Sequence, residues 1–91
     1  MWEVVFYDDH KETIARINKA GEVEELRINL TFSELPEKIF QSIKSKGEIM
    51  NVITINKSND ISWEIIYRNQ NLVRFLIILD PDGKELSSRQ L

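Results

Sequence analysis

The chain has 91 residues, no cysteine and a net charge of −3 at pH 7. This length predicts a single domain, residues 1–91, and the lack of cysteine excludes disulfides and thiolate metal sites. The acidic balance argues against nucleic acid as a partner, because phosphate binding requires clustered lysine and arginine. No apolar run approaches the roughly 20 residues of a membrane span, so membrane insertion is not predicted. The N-terminus also lacks a signal-peptide pattern, which predicts the cytosol for the chain as given.

Three strands are predicted in the first third of the chain. Trp2–Tyr7 is rich in β-branched and aromatic residues, which suit a half-buried pleated surface. A polar turn through His10 leads to a returning strand, Thr13–Asn18, and a turn that ends at Gly21 leads to a third strand, Val23–Phe32. Apolar and polar residues alternate along this third strand, which predicts one buried face and one solvated face.

The hydrophobic period changes to that of a helix after Phe32. Ser33 is placed to cap the N-terminus of this helix. Pro36 fits its first turn, where no backbone hydrogen bond is lost, and Gly47 is a natural stop. The sequence therefore predicts one helix, Glu34–Lys46, whose apolar stripe consists of Leu35, Ile39, Phe40 and Ile43.

Three further strands are predicted after the helix: Ile49–Asn56, Ile61–Arg68 and Leu72–Leu79. The last of them ends at Asp80–Gly83, a strong turn signal, and the polar segment Ser87–Leu91 is expected to fray. Short connections between strands favour antiparallel neighbours. The fold class predicted is therefore α+β, an antiparallel meandering sheet of about six strands with one helix packed on one face, in the order βββ-α-βββ.

Two hairpins in this layout resemble each other. "WEVVF" begins at Trp2 and "WEIIY" begins at Trp63, and Gly21 and Gly83 follow them by nineteen and twenty positions. One extra residue in the second hairpin turn reconciles the two spacings. This similarity predicts an internal duplication, with residues 1–32 as a partial repeat and residues 33–86 as a full repeat. The alternative is convergence, because any two β-hairpins share an alternating pattern. Under the duplication, the first repeat lacks the helix and strand that precede Trp63.

The second unit carries a family resemblance. Leu35-Pro36 opens a helix, a strand follows, Trp63–Tyr67 begins the next strand, and Asp80–Leu86 reads Asp-Pro-Asp-Gly-Lys-Glu-Leu. This arrangement resembles the PepSY-like proteins, which are related in fold to the β-lactamase inhibitor protein. The resemblance implies a non-catalytic module that binds protein or peptide and acts by inhibition or regulation. It also implies export to the periplasm or the exterior, in conflict with the missing signal, so the compartment stays open.

Candidate catalytic and metal-binding residues are few. His10 is the only histidine, and its neighbours Asp8 and Asp9 share the same turn, where side chains extend into water rather than converge on a base or a metal. Asp80-x-Asp82-Gly83 is similar to the start of a calcium loop, but the further oxygen ligands do not follow at the required offsets. The sequence therefore predicts no enzyme, no catalytic residue, no cofactor and no metal site. A metal-handling role for the His10 or Asp82 region is the rival interpretation.

Apolar residues on both faces of the strands give the remaining functional signal. One helix covers one face of a sheet, and the alternation assigns Trp63, Ile65 and Tyr67 to the helix-facing core. The residues that alternate with such positions should then lie on the opposite face, where a contiguous apolar patch favours contact with another molecule. The candidates for this partner-binding face are Val5, Tyr7, Ile66, Leu76 and Ile78. The predicted partner is a protein, a peptide or a second copy of the chain. The alternatives are ordinary central-strand composition and a structural fragment without a ligand.

Overall fold

A computed structural model describes residues 2–91. It contains one seven-stranded sheet, one α-helix and a single 3-10 turn at Phe32–Glu34. The sheet is antiparallel throughout, and its strand order follows the chain order, so each strand pairs with its neighbours in sequence. The elements are β1 (Trp2–Asp8), β2 (Lys11–Ile17), β3 (Val23–Leu30), α1 (Glu37–Ile43), β4 (Glu48–Lys57), β5 (Asp60–Arg68), β6 (Arg74–Leu79) and β7 (Glu85–Gln90).

The predicted α+β meander is present, but the sheet has one strand more than predicted. The segment Ser87–Leu91, expected to fray, belongs largely to β7, which pairs with β6 through contacts such as Ser88 opposite Ile77. All six residues of β7 are exposed. The sequence of β7 is mostly polar and shows no apolar alternation. The strand therefore forms through backbone pairing with its apolar neighbour β6. The observed order is βββ-α-ββββ.

The helix is shorter than predicted, at Glu37–Ile43 rather than Glu34–Lys46. Leu35 precedes Pro36, and both residues are extended, with ψ angles of 124° and 148°. A residue before proline is disfavoured in the helical region, so the helix cannot run through from Glu34.

The approach to the helix also differs from the prediction. The segment predicted as the end of the third strand and the first helical turn instead forms the 3-10 turn at Phe32–Glu34. The N-cap of this turn is Thr31, and the N-cap of α1 is Pro36 rather than the predicted Ser33. The Glu34 carboxylate accepts hydrogen bonds from the Thr31 backbone N–H at 3.0 Å and the Thr31 hydroxyl at 2.9 Å. A carboxylate that closes a turn in this way is the arrangement of a capping box.

The core lies between α1 and strands β4–β6. The helix contributes Ile39 and Ile43, both fully buried. The predicted helix-facing residues of β5 are confirmed, since Trp63, Ile65 and Tyr67 are 9%, 0% and 9% exposed. Burying an isoleucine side chain such as that of Ile65 stabilises the fold by roughly 1.5–3 kcal/mol. The remaining core members are Val52, Ile77 and Leu79, with Leu30, Leu35, Ile49 and Phe75 packed at its margin.

The helix does not cover the first half of the sheet. On the same side as α1, β1 presents Trp2, Val4 and Phe6, which are 61%, 43% and 40% exposed. Beside them, Thr13 and Ala15 of β2 are buried, because the larger side chains of their partners on β1 cover these small ones. The helix side of β1–β3 is therefore an apolar surface that α1 leaves uncovered.

Candidate functional site

The five predicted partner-binding residues all lie on the sheet face opposite α1, here called the open face. The strand register sets this orientation: Ile65 pairs with Ile77 toward the helix, so Ile66, which pairs with Leu76, points away from it. Ile78, one position after Ile77, lies on the open face as well. All three of these open-face side chains are half-buried.

The open face brings together only part of the predicted set. Ile66, Leu76 and Ile78 are neighbours on β5 and β6. Val5 and Tyr7 lie on β1, four strands from β5, which corresponds to about 19 Å at the usual spacing between strands. They are 60% and 73% exposed. The five residues therefore do not lie together in one patch, because the meander places β1 at the edge of the sheet.

Two residues outside the predicted set extend the apolar patch. Ile53 pairs with Glu64 and Ile55 pairs with Ser62, so both isoleucines lie on the open face, and both are half-buried. The signal was present in the alternation of β4, where they flank the inward-pointing Thr54. The open-face cluster therefore consists of Ile53, Ile55, Ile66, Leu76 and Ile78.

A groove of about 550 Å³ borders this cluster at one end of the sheet. Its apolar lining includes Ile55, Ile78, Pro81 and Leu86, and Leu86 is 57% exposed. Charged residues line the rest of the groove: Glu25, Arg27, Lys57, Asp60, Glu64 and Asp80. An apolar floor with a polar margin is the usual arrangement of a surface that binds another protein.

The open face of the first half carries a charged region in addition to Val5 and Tyr7. Arg16 bridges two carboxylates, with its Nε atom 3.3 Å from Glu3 Oε1 and 3.6 Å from Glu25 Oε2. The Glu25 side chain is only 13% exposed, and its Oε2 atom has no hydrogen-bond partner among the described residues. An ion pair between Arg27 of β3 and Glu64 of β5 spans β4 on this face. Glu64 pairs with Ile53 and Ile78, so it lies within the open-face cluster.

Three hairpin turns share one hydrogen-bond pattern. In each, the first residue's backbone N–H donates to the carbonyl of the fifth residue at 2.9 Å, and its side-chain oxygen accepts from the third and fifth N–H groups at 2.9–3.1 Å. The fourth residue has a positive φ, which is why glycine suits it. The turns are Asn18–Glu22, Asn69–Val73 and Asp80–Lys84, with Gly21, Leu72 and Gly83 fourth. The middle turn explains why β6 begins at Arg74 rather than Leu72.

These turns bear on the calcium-loop interpretation. The Asp80 carboxylate accepts hydrogen bonds from the backbone N–H groups of Asp82 and Lys84, both at 2.9 Å. Asp80 therefore performs turn chemistry. His10 is an exposed turn residue with φ of +64°. Within residues 2–91, no three histidine, aspartate or glutamate side chains are grouped closely enough to hold a metal ion.

An ion pair joins the first half of the sheet to the connection before α1. Lys11, at the start of β2, pairs with the carboxylate of Glu34, which also accepts the two Thr31 hydrogen bonds. The Lys11 ammonium, followed by the Thr31 donors, lowers the pKa of Glu34 to about 2, and the same pairing raises the pKa of Lys11. Both shifts favour the charged forms of the two side chains.

The fold matches solved structures although the sequence matches no family. Comparison with protein-family models and with curated proteins finds no match. A DUF2874 family protein from Bacteroides uniformis has a TM-score of 0.87 at 16% identity, over 97% of this chain and 69% of that one. A Bacteroides eggerthii protein described provisionally as periplasmic has a TM-score of 0.86 at 18% identity, over 97% and 68%.

A third solved structure is of a protein described as BLIP-like. A BLIP-like protein from Bacteroides fragilis has a TM-score of 0.76 at 8% identity, over all of this chain and 75% of that one. At these identities the likeness shows the fold alone, which is BLIP-like. None of the three names describes an enzyme. No helix within residues 2–91 is long and apolar enough to cross a membrane.

Proposed function

We propose that the protein is a non-catalytic, protein- or peptide-binding module of the PepSY-like kind that inhibits or regulates its partner. The observation that carries this proposal is the open-face cluster, five half-buried aliphatic side chains that no described element covers. The BLIP-like fold of a structural neighbour supports it. A periplasmic location belongs to the same proposal, supported by the description of one matched protein.

The open-face cluster is suited to be the centre of such an interface. Ile66 and Leu76 face each other across β5 and β6. Charged residues flank this pair two positions away on the same face, namely Glu64 and Arg68 on β5 and Arg74 on β6. Binding energy in protein interfaces is concentrated in a few central apolar or aromatic anchors that become fully desolvated. The adjacent groove adds Leu86 and Pro81, so a partner chain can bury apolar side chains along the sheet and meet charged groups at the margin.

Val5 and Tyr7 form a separate contact in this proposal. They share the open face but lie beyond the charged region around Arg16. A partner large enough to cross the sheet would reach them after it engages the open-face cluster. Their loss should therefore weaken binding less than the loss of central residues.

The test is the double variant Ile66→Lys with Leu76→Lys, probed with peptides selected from a displayed random library on the wild-type protein. Two lysines at the centre of an apolar contact should weaken the selected peptides about tenfold or more. The matched control is Val5→Lys with Tyr7→Lys, which adds the same charge to the open face of the sheet but on β1. Circular dichroism and melting temperature establish that both variants fold.

Three outcomes would contradict the proposal. Unfolding of the Ile66/Leu76 variant assigns those residues to the core, and unchanged peptide binding removes the open-face cluster as the site. A control variant that loses binding as strongly moves the site to β1. Sedimentation of the wild type adds the self-association alternative: a dimer that the Ile66/Leu76 variant dissociates identifies the partner as a second copy.

A further inference from the structure

The two hairpins β1–β2 and β5–β6 have equivalent registers but different environments. Trp2 pairs with Ile17, and Trp63 pairs with Leu79. In the second hairpin, β4 lies alongside β5 and α1 lies over it. In the first, all seven residues of β1 are exposed, and β1 pairs with β2 alone among the described strands.

The turns that follow these hairpins, between β2 and β3 and between β6 and β7, show the same difference. The Ser42 hydroxyl of α1 donates to the Gly83 carbonyl at 2.9 Å. A Cβ added at Gly83 would lie 2.5 Å from Ser42 Oγ and 3.1 Å from the Lys38 carbonyl oxygen. Gly21 has nearly the same φ, +84° against +88°, and a Cβ there would meet nothing within 4 Å. The turn at Gly21 therefore has the geometry that receives a helix, with open space at the helix position.

We propose that the helix side of β1, with the β1 edge, is a docking site for a helix–strand segment with the chemistry of residues 35–57. Its helix lies over Trp2, Val4 and Phe6 as α1 lies over Trp63, Ile65 and Tyr67. Its strand pairs with β1 as β4 pairs with β5, since an unpaired strand edge accepts an extended chain through backbone hydrogen bonds. The proposal concerns the face opposite the open-face cluster and does not depend on it.

Charge complementarity supports this occupant. Gly47, just after α1, lies against the Arg68 carbonyl at the end of β5, so the C-terminal end of α1 is near that strand end. The equivalent end of β1 carries Asp8 and Asp9. Basic residues such as Lys44 and Lys46 are favourable near the C-terminus of a helix, and in the docked pose they would also face these two carboxylates.

The proportions of the matched structures agree with an added segment. This chain accounts for 67–75% of the length of the four matched chains, so the fold occurs in proteins with a further quarter to a third of their sequence outside the likeness. A helix about 10 Å wide covers roughly two strands of a sheet spaced at 4.8 Å. A seven-stranded sheet with one short helix therefore has room for a second.

The experiment supplies the segment from the protein's own sequence. A second copy of residues 33–62 is joined directly before Trp2 of the full chain, so that its Lys57–Asp60 turn leads into β1. The proposal expects the melting temperature to rise by roughly 5 °C or more, a measurable gain for a domain of this size. It also expects slower hydrogen exchange in β1 and a smaller fraction of tryptophan fluorescence accessible to acrylamide, since Trp2 becomes covered.

Two variants separate docking from a merely longer chain. Ile39→Asp with Ile43→Asp, made only in the added copy, keeps the length and removes the apolar stripe, so all three effects should disappear. Trp2→Ser should change the melting temperature of the unmodified chain little, because Trp2 is 61% exposed, but should remove most of the gain in the extended chain.

Either of two results would overturn the inference. Equal stabilisation by the added copy and its Ile39/Ile43 variant would mean that the apolar surface of β1 receives no helix. Sedimentation of the unmodified chain as a dimer that shields Trp2 from acrylamide, and that Trp2→Ser dissociates, would assign the surface to a second copy instead.

Discussion

The first and second halves of the sheet contain similar hairpins and bury them to different extents. Trp63 and Ile65 are 9% and 0% exposed, whereas Trp2 and Val4, at the corresponding positions, are 61% and 43% exposed. The two halves also differ on the open face. Ion pairs around Arg16 lie in the first half, and the open-face cluster lies in the second. The alternating pattern of a strand therefore determines on which face each side chain lies, whereas the burial of that side chain depends on what packs against the face.

The largest expected contrast is in the cost of truncating corresponding side chains. Ile65→Ala removes a fully buried side chain beneath α1 and should lower the free energy of unfolding by about 2–5 kcal/mol, through lost transfer energy and a cavity. Val4→Ala, on β1, should cost below about 1 kcal/mol. Urea denaturation of both variants measures the contrast. Equal costs would mean that the β1 surface is covered in solution.

The two turn glycines provide a second, smaller contrast. Alanine at either position must adopt a left-handed backbone, which costs roughly 1–2 kcal/mol. Gly83→Ala should cost about 1 kcal/mol more than Gly21→Ala, because its Cβ displaces Ser42 and weakens the hydrogen bond to the Gly83 carbonyl. Thermal melts of the two variants give the difference. A greater loss for Gly21→Ala would contradict the absence of a neighbour at that turn.

The smallest effect concerns the ion pair that joins the two halves. The pKa of Glu34 is lowered from 4.5 to about 2 in the folded chain, so its contribution to stability is complete above pH 4.5 and is lost as the pH falls toward 2. Glu34→Gln should therefore reduce stability at neutral pH, and the gap to the wild type should close below pH 4. Urea midpoints measured between pH 7 and pH 2 test this. A gap independent of pH would mean that the carboxylate charge has no role.

The sequence predicted the features that depend on local pattern. Alternation located the strands and assigned Trp63, Ile65 and Tyr67 to the core, and the apolar stripe located the helix through Ile39 and Ile43. The helix ends and β7 were predicted wrongly. Leu35-Pro36 acts through a backbone restriction that a hydrophobic stripe does not register, and β7 depends on pairing with β6 rather than on its own side chains.

The structure brings the five candidate residues together only in part, for a similar reason. Alternation identifies which residues share a face, as it did for Ile66, Leu76 and Ile78. It does not give the position of a strand within the sheet, so it could not separate Val5 and Tyr7 from the other three. The internal duplication stays a prediction, and the similar turns at Gly21 and Gly83 are consistent with it.

The strand order has a consequence for how the chain folds. Because each strand pairs with its sequence neighbours, nearly all pairing is closed by short turns, and the longest connection between paired strands is the one through α1, from Leu30 to Glu48. Short sequence separations between contacting residues lower the entropic barrier to folding and raise the rate. We expect this protein to fold faster than most β-sheet proteins of its length, with nucleation around α1 and β4–β6 and the outer strands added by zipping.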